Sequence, residues 1–457
     1  MNPPSISFVS LGCPKNLVDS EKMLGLLAEA GCPIVGDGTT LGEVMIVNTC
    51  GFLSDSRDEA LAVLREAAEH KRAGRVDRLV VAGCLAQRDG RGLLQAVPEI
   101  DALLGVHHRG DILRAVIGDS AESGDRPFTH LGPYHPSTWI GANQSDRARL
   151  RLTPRHYAYL RVSEGCNQKC TFCTIPSIRG PMHCKPVDEI MAEARELIAD
   201  GAREINLIGQ DTTSYGRDIG YEPGLAGLLR TMNTLDGVVW LRLMYAYPSD
   251  FTDEMIDAVA ECEKVAKYID IPLQHINDRI LRAMYRRVTR RRTESLLARL
   301  RERIDGVTIR TTLIAGFPGE TEAEFEELRD FVADFGFDML GVFPYSNEPG
   351  TPAHRMNEQL PRDVIEARVE ELMRTQQRVA FAKAAARTGQ RFRVMIDDCG
   401  ENGVYPARHE GQAPEVDSLV HVAGGEYAPG EFLIVRCTGH RDYDLLAEPA
   451  DRSLPVV

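Results

Sequence analysis

The stretch Glu164-Gly165-Cys166-Asn167-Gln168-Lys169-Cys170-Thr171-Phe172-Cys173 obliges any fold of this chain to bring three thiols of one short loop to one point. Their spacing is C-x3-C-x2-C. Cysteine thiolates are the usual ligands of a cubane iron–sulfur cluster, which has about four irons. Three thiolates leave one iron without a protein ligand, and an open position is what separates a catalytic metal site from a structural one. A zinc knuckle is the alternative reading. Zinc wants a fourth ligand at regular spacing, and the candidates, His183 and Cys184, lie well beyond the loop. Cys166, Cys170 and Cys173 are therefore expected to hold an iron–sulfur cluster with one free corner.

The residues before this loop repeat the theme on a larger scale. Apolar runs at Ser5–Ser10, Val44–Val47 and Leu79–Ala82 alternate with helical patterns at Val18–Ala30 and Ser56–Lys71. Strands alternating with helices predict a parallel sheet with right-handed crossovers, whose carboxyl edge is the ligand-binding edge. Cys13, Cys50 and Cys84 each follow one of these runs within a few residues, so all three are expected at that edge as a second metal site. Singly, a cysteine near a strand end is a small hydrophobe, the reading given to Cys32, Cys262, Cys399 and Cys437. The neighbouring pair His107-His108 is read as solvated loop residues.

Six further strands are expected at Ala158–Val162, Glu204–Ile208, Val239–Met244, Tyr268–Ile271, Thr308–Ile314 and Asp338–Phe343. Amphipathic helices separate most of them, including Asp188–Ala199, Asp253–Glu263 and Glu322–Phe335, the last opened by a Thr321/Glu324 capping box. This pattern predicts a partial α/β barrel of six strand–helix units, with its site at the carboxyl ends of the strands. A long helix from Pro361 to Ala386 follows, then five short strands between Arg391 and Ala447 that suggest a small all-β barrel of the oligonucleotide-binding kind. The expected division is 4–125 for the first domain, 126–151 for a linker, 152–388 for the core with its long helix, and 389–453 for the last barrel.

Charge and cysteine usage narrow the partners. The chain of 457 residues carries a net charge of −14, and residues 391–448 hold five Lys or Arg against eleven Asp or Glu. A nucleic-acid reader should carry a basic face, so an acidic barrel suits a basic protein partner better, and direct nucleic-acid binding is expected to be minor. The dense run Arg286, Arg287, Arg290, Arg291 and Arg292 is read as a solvated helix end, with contact to ribosomal RNA as the alternative. No run has the length of a membrane span, and Leu11-Gly12-Cys13 lacks the flanks of an export signal. Eleven cysteines without such a signal predict reduced thiols in the cytoplasm. No Walker motif or nucleophile elbow occurs.

The Cys166–Cys173 loop resembles the signature of the radical S-adenosylmethionine enzymes. That resemblance implies an open iron that binds S-adenosylmethionine and cleaves it reductively to a 5′-deoxyadenosyl radical, with electrons from an external donor. With a second cysteine trio, the chain is similar to the methylthiotransferase family, whose first domain carries an auxiliary [4Fe-4S] cluster and whose last is a TRAM domain. Ser10-Leu11-Gly12-Cys13-Pro14-Lys15-Asn16, Gln274-His275 and the segment Arg408–Asp417 resemble the branch that modifies a ribosomal protein. The resemblance implies two [4Fe-4S] clusters and transfer of a methylthio group to the β-carbon of an aspartate in small-subunit ribosomal protein twelve. It also implies S-adenosylmethionine contacts from Gln210, Asp211, Gln274 and Gly316, with Phe172 over the adenine or packed beneath the cluster. Ile208-Gly209-Gln210-Asp211 departs from the superfamily's Gly-Gly-Glu-type motif at that point. A tRNA adenosine methylthiotransferase is the alternative, and a non-catalytic iron–sulfur carrier or interaction module is the alternative of another class.

Overall fold

In the first sheet the runs Val44–Thr49 and Arg78–Gly83 have almost every side chain buried, because helices cover both faces. A strand enclosed in this way must be apolar throughout, which is why these runs do not alternate. The computed structural model describes residues 3–36, 40–118, 127–139 and 141–450. Residues 119–126 and 451–453, at the ends of the expected first and last segments, lie outside them. Six parallel strands are ordered Ile34–Val35, Ile6–Ser10, Val44–Thr49, Arg78–Gly83, Ala102–Leu104 and Phe128–His130. Ser10 stands opposite Asn48, and Asn48 opposite Ala82, so the three central strands end level. Val44, Ile46 and Val80 are essentially inaccessible, each worth roughly 1.5–3 kcal/mol of burial.

The expected linker 126–151 is more ordered than its composition suggests. Phe128–His130 is the sixth strand of the sheet, and the chain then runs across the Pro14–Glu29 helix. Lys22 Nζ donates to the Arg147 carbonyl at 2.6 Å, and the Leu150 amide donates to the Glu21 carbonyl at 3.0 Å. Gly25 permits this crossing, because a Cβ there would lie 2.1 Å from the Ala148 carbonyl oxygen.

The second sheet has six parallel strands in the order Met339–Pro344, Thr308–Ala315, Val265–Asp270, Trp240–Leu243, Glu204–Ile208 and Tyr157–Arg161. Its two outer strands do not pair with each other, so the barrel is open. Leu160, Leu207 and Leu241 point to the surrounding helices, while Tyr157, Tyr159 and Tyr268 point inward. The Thr321/Glu324 capping box opens the helix Glu322–Phe335, and the helix Arg362–Ala386 covers the outer strand by bonds such as Gln376 to the Phe337 carbonyl at 3.0 Å.

The last segment is a closed five-stranded barrel of Arg391–Ile396, Val404–His409, Val420–Ala423, Asp444–Pro449 and Phe432–Arg441. It sits at the amino ends of the central strands. Arg408 pairs with Glu204 at 2.7 Å, and Phe432 meets Trp240 edge to face at 5.0 Å. The loop after His409 enters the central barrel from this end. Glu415 accepts from Tyr157 at 2.8 Å and Tyr159 at 3.2 Å, and Asp417 from Tyr268 at 2.8 Å. Some of the acidity read as a docking surface is therefore spent inside the molecule.

Three expectations are corrected. His107 and His108 are both buried, 5% exposed, with His107 edge-on to Tyr134 and His108 stacked on His130. Cys399 is exposed. Arg286 is not a solvated member of its run, because it turns inward onto the cysteine loop. His183 stacks on Tyr134 at 4.0 Å and Cys184 accepts from the Gly216 amide, so neither completes a zinc site with the loop.

Candidate functional site

The strand Tyr157–Arg161 delivers the cysteine loop to the carboxyl end of the central sheet. Gly165 turns the chain with φ +74°, and a Cβ there would lie 2.2 Å from the Pro181 carbonyl oxygen. Thr171 fixes the far side of the loop, its amide donating to the Met284 carbonyl at 3.1 Å and its hydroxyl to the Ala283 carbonyl at 2.8 Å. The Gln168 amide donates to Cys166 Sγ at 3.4 Å, and Arg286 approaches Cys170 Sγ at 3.6 Å while lying 4.1 Å over the Tyr247 ring. Burial pushes the Cys166 and Cys173 thiols up to about 12. A metal that binds these thiols must displace their protons.

The second trio is assembled by register. The level ends of three parallel strands put Cys13 at the start of the Pro14–Glu29 helix, Cys50 just past its strand, and Cys84 at the start of the next helix. A Cβ on Gly12 would meet Cys50 Cβ at 2.7 Å, and one on Gly51 would meet Leu85 Cα at 2.8 Å. The three segments thus touch through glycines. Burial raises the Cys50 thiol, and it raises Cys84 to about 12 despite the guanidinium of Arg179 facing that sulfur. Arg179 comes from the segment after the first cysteine loop and was not singled out in the sequence.

Both trios lie at the same end of the central barrel. Thr174, just past Cys173, approaches the Phe52 carbonyl, just past Cys50, at 3.4 Å. Lys15 reaches from the first domain to the Gly209 carbonyl at 3.4 Å and lies 3.2 Å over the Tyr245 ring. Glu348, beyond the last central strand, accepts from the Ser54 amide and from Arg88, each at 2.7 Å. The Ser54–Arg72 helix has no side-chain cap of its own, so a carboxylate from the other domain supplies it.

A buried charge network locks this arrangement. Asp19 meets Arg109 at 2.8 Å and Arg161 at 2.7 Å, and Glu164 meets Arg161 at 2.6 Å and Arg179 at 2.8 Å. Asp146 meets Arg109, Arg161 and Lys185, and Glu193 meets Lys185. Burial alone would raise the Glu164 carboxyl, but Arg179 and Arg161 outweigh it and hold the group well below the usual carboxylate range. Removing one partner from such a network costs far more than the pair itself contributes, since it strands the others away from water.

Of the five remaining candidates, Phe172 belongs to the cysteine loop, and Gln210 and Asp211 bond to residues of it. Gln210 donates to Glu164 at 2.6 Å, and Asp211 accepts from Gln168 of the loop at 2.9 Å and from Thr213 and Ser214. Gln274 adopts φ +75°, and both its Oε1 and that of Gln210 are buried without a donor. Gly316 has φ +79°, and its missing Cβ makes room for Ile365, which would be 2.4 Å away. Phe172 packs with Ile280, Ile314, Phe317 and Tyr345. The donor set fits the expected groups: three thiols on each side, with the unpaired Gln210 acceptor beside Glu164 of the loop for a ligand carrying N–H or O–H groups. Sequence reasoning missed Arg179 and Glu348 and misread Arg286, because each acts on a sulfur or segment far away in the chain.

Residues 160–332 match the radical SAM superfamily, residues 5–105 the uncharacterized protein family UPF0004, and residues 388–449 the TRAM domain. The chain is 42% identical over 97% of its length to ribosomal protein uS12 methylthiotransferase RimO of Anaeromyxobacter sp. (strain K), covering 92% of that protein. It is 41% identical over 97% of its length to the protein of the same name from Geobacter sulfurreducens, covering 98% of it. The fold is similar to that of the radical S-adenosylmethionine methyltransferase TsrM from Kitasatospora setae, with a TM-score of 0.54 at 14% identity over 88% of this chain and 80% of that one. Among the described residues no helix is long and apolar enough to cross a membrane. The chain belongs to the ribosomal protein uS12 methylthiotransferase family of the radical SAM superfamily.

Proposed function

We propose that the protein transfers a methylthio group to the β-carbon of an aspartate in ribosomal protein uS12. The observation that carries this reading is the meeting of two thiol trios at one barrel end, joined through Thr174 and Lys15. One trio suits reductive cleavage of S-adenosylmethionine, and the second suits holding sulfur beside the substrate. When bound, two [4Fe-4S] clusters and S-adenosylmethionine supply the one-electron chemistry, the hydrogen abstraction and the methyl group.

The chain's own residues then have separate tasks. Cys166, Cys170 and Cys173 hold the first cluster, and Arg286 places positive charge beside Cys170. Cys13, Cys50 and Cys84 hold the second, with Arg179 beside Cys84. Gln210, Asp211 and Gln274 orient S-adenosylmethionine through side-chain acceptors, and Gly316 and Phe172 shape the wall beneath it. The first domain, latched by Glu348, excludes water from the mouth. The partners are uS12, within or apart from the small subunit, and a low-potential electron donor, and the compartment is the cytoplasm.

Parallel incubations with ribosomes and with tRNA test the reading. Only uS12 should gain the mass of a methylthio group, with release of 5′-deoxyadenosine. A gain confined to tRNA overturns the substrate assignment, and no 5′-deoxyadenosine from reduced, cluster-loaded protein overturns the enzymatic one.

A further inference from the structure

Every cation in the buried network between the domains meets a carboxylate: Arg109 and Arg161 at Asp19, Arg179 at Glu164, and Lys185 at Asp146, all within 2.8 Å. Lys15 does not. It is 8% exposed, sits two residues past Cys13, and has as partners the Gly209 carbonyl at 3.4 Å and the face of Tyr245 at 3.2 Å. Among the described residues it forms no ion pair. A buried ammonium without an anion is costly, and such a group at a substrate mouth calls for an anion that arrives with the ligand. The neighbouring acid cannot supply it: Asp270 is already held by Arg310 at 2.8 Å and accepts from the Tyr245 amide at 3.0 Å.

Tyr245 is itself fixed for this purpose. Its backbone has φ +60°, a conformation non-glycine residues adopt only when the surroundings impose it. The Asp270 bond imposes it here, and the result turns the ring face toward Lys15. A ring face attracts a cation without neutralising it, so the ammonium stays available to a carboxylate.

We infer that Lys15, seated on Tyr245, is the subsite that pairs with the side-chain carboxylate of the target aspartate. This rests on the reading of the substrate given above. The β-carbon is bonded directly to the carboxylate carbon, so an ammonium that holds the carboxylate also fixes the reacting carbon. Because Lys15 belongs to the same turn as Cys13, it fixes that carbon beside the second thiol trio. A nucleobase carries no carboxylate and leaves Lys15 unpaired, which makes the residue a discriminator between substrate classes as well. A different role would be to offset the charge of a cluster at Cys13, and the test separates the two.

Labelled peptides of the uS12 target loop, carrying Asp or Asn at the modified position, are titrated by fluorescence anisotropy. The protein is cluster-loaded and saturated with S-adenosylmethionine, without reductant, so that nothing turns over. Wild-type protein should bind the Asp peptide about tenfold more tightly, the effect of one charge-assisted pair. Lys15→Met and Lys15→Gln should bind both peptides as wild type binds the Asn peptide, and Lys15→Arg should keep most of the preference. Undiminished preference for Asp in Lys15→Met or Lys15→Gln overturns the inference, including when the variants alter only the cluster's redox potential. A wild-type protein that binds neither peptide but binds tRNA overturns the substrate reading instead.

Discussion

The two thiol trios reach similar surroundings by opposite routes. Cys166, Cys170 and Cys173 are held by one loop whose geometry is local, pinned by Gly165 and Thr171. Cys13, Cys50 and Cys84 span three strands and depend on those strands ending level. A local site survives small shifts of the sheet, whereas a site made by register is lost when one strand moves. The difference also fits the proposed division of labour: the loop trio needs one exposed corner for S-adenosylmethionine, and the strand-end trio needs to face whatever the first domain covers.

The sharpest way to break the comparison is to remove one thiol from each trio. Cys170→Ala should lower 5′-deoxyadenosine release at least about 1000-fold, roughly 4 kcal/mol of barrier. Cys50→Ala should still release 5′-deoxyadenosine, lose about four irons per chain, and transfer no methylthio group. Equal loss of S-adenosylmethionine cleavage in both variants would end the claim of separate roles. Chromatography of the nucleoside and an iron count decide it.

Asp19→Asn tests what holds the trios together. It takes one carboxylate from Arg109, Arg161 and Arg179, which keep only Asp146 and Glu164, and leaves the buried network one anion short, at a cost of about 3–5 kcal/mol. Denaturant unfolding should show the first domain releasing from the barrel before the rest melts. Glycine substitutions probe each trio in turn at about 1–3 kcal/mol. Gly12→Ala, at φ +90° with Cys50 Cβ 2.7 Å from the new methyl, should open the strand-end trio and spare the loop. Gly165→Ala should do the reverse, and iron content with 5′-deoxyadenosine release distinguishes them.

The smallest effect is a dependence on pH shared by both sides of the mouth. Burial lowers His275 of the barrel to about 3 and His107 of the first domain to about 4. The unfolded chain therefore binds protons that the folded one refuses as pH falls below about 6.5, so stability is full above that value and declines below it. Each group should account for up to about 2 kcal/mol at pH 5. Thermal melts from pH 7 to 5 should fall less steeply in His275→Gln; an unchanged slope would place the sensitivity elsewhere.

The sequence by itself determined the three-part architecture and picked out the six thiols proposed as ligands. Apolar runs such as Val44–Thr49 and the Thr321/Glu324 box mark their elements locally, and the cysteine spacing is a local property too. Short edge strands such as Phe128–His130 were not legible, because a loop-like composition becomes strand only when a neighbouring edge offers hydrogen bonds. His107, Arg286 and Glu415 were misread for a related reason: polarity in a sequence signals solvent, and only packing reveals a partner. Tertiary structure alone decided that the last barrel plugs the amino ends of the central strands while the first domain latches onto their carboxyl ends. It also decided that Lys15 stands without a carboxylate beside a network in which Arg109, Arg161, Arg179 and Lys185 each meet one. Charge pairing across hundreds of residues depends on distances in space, and sequence separation does not encode them.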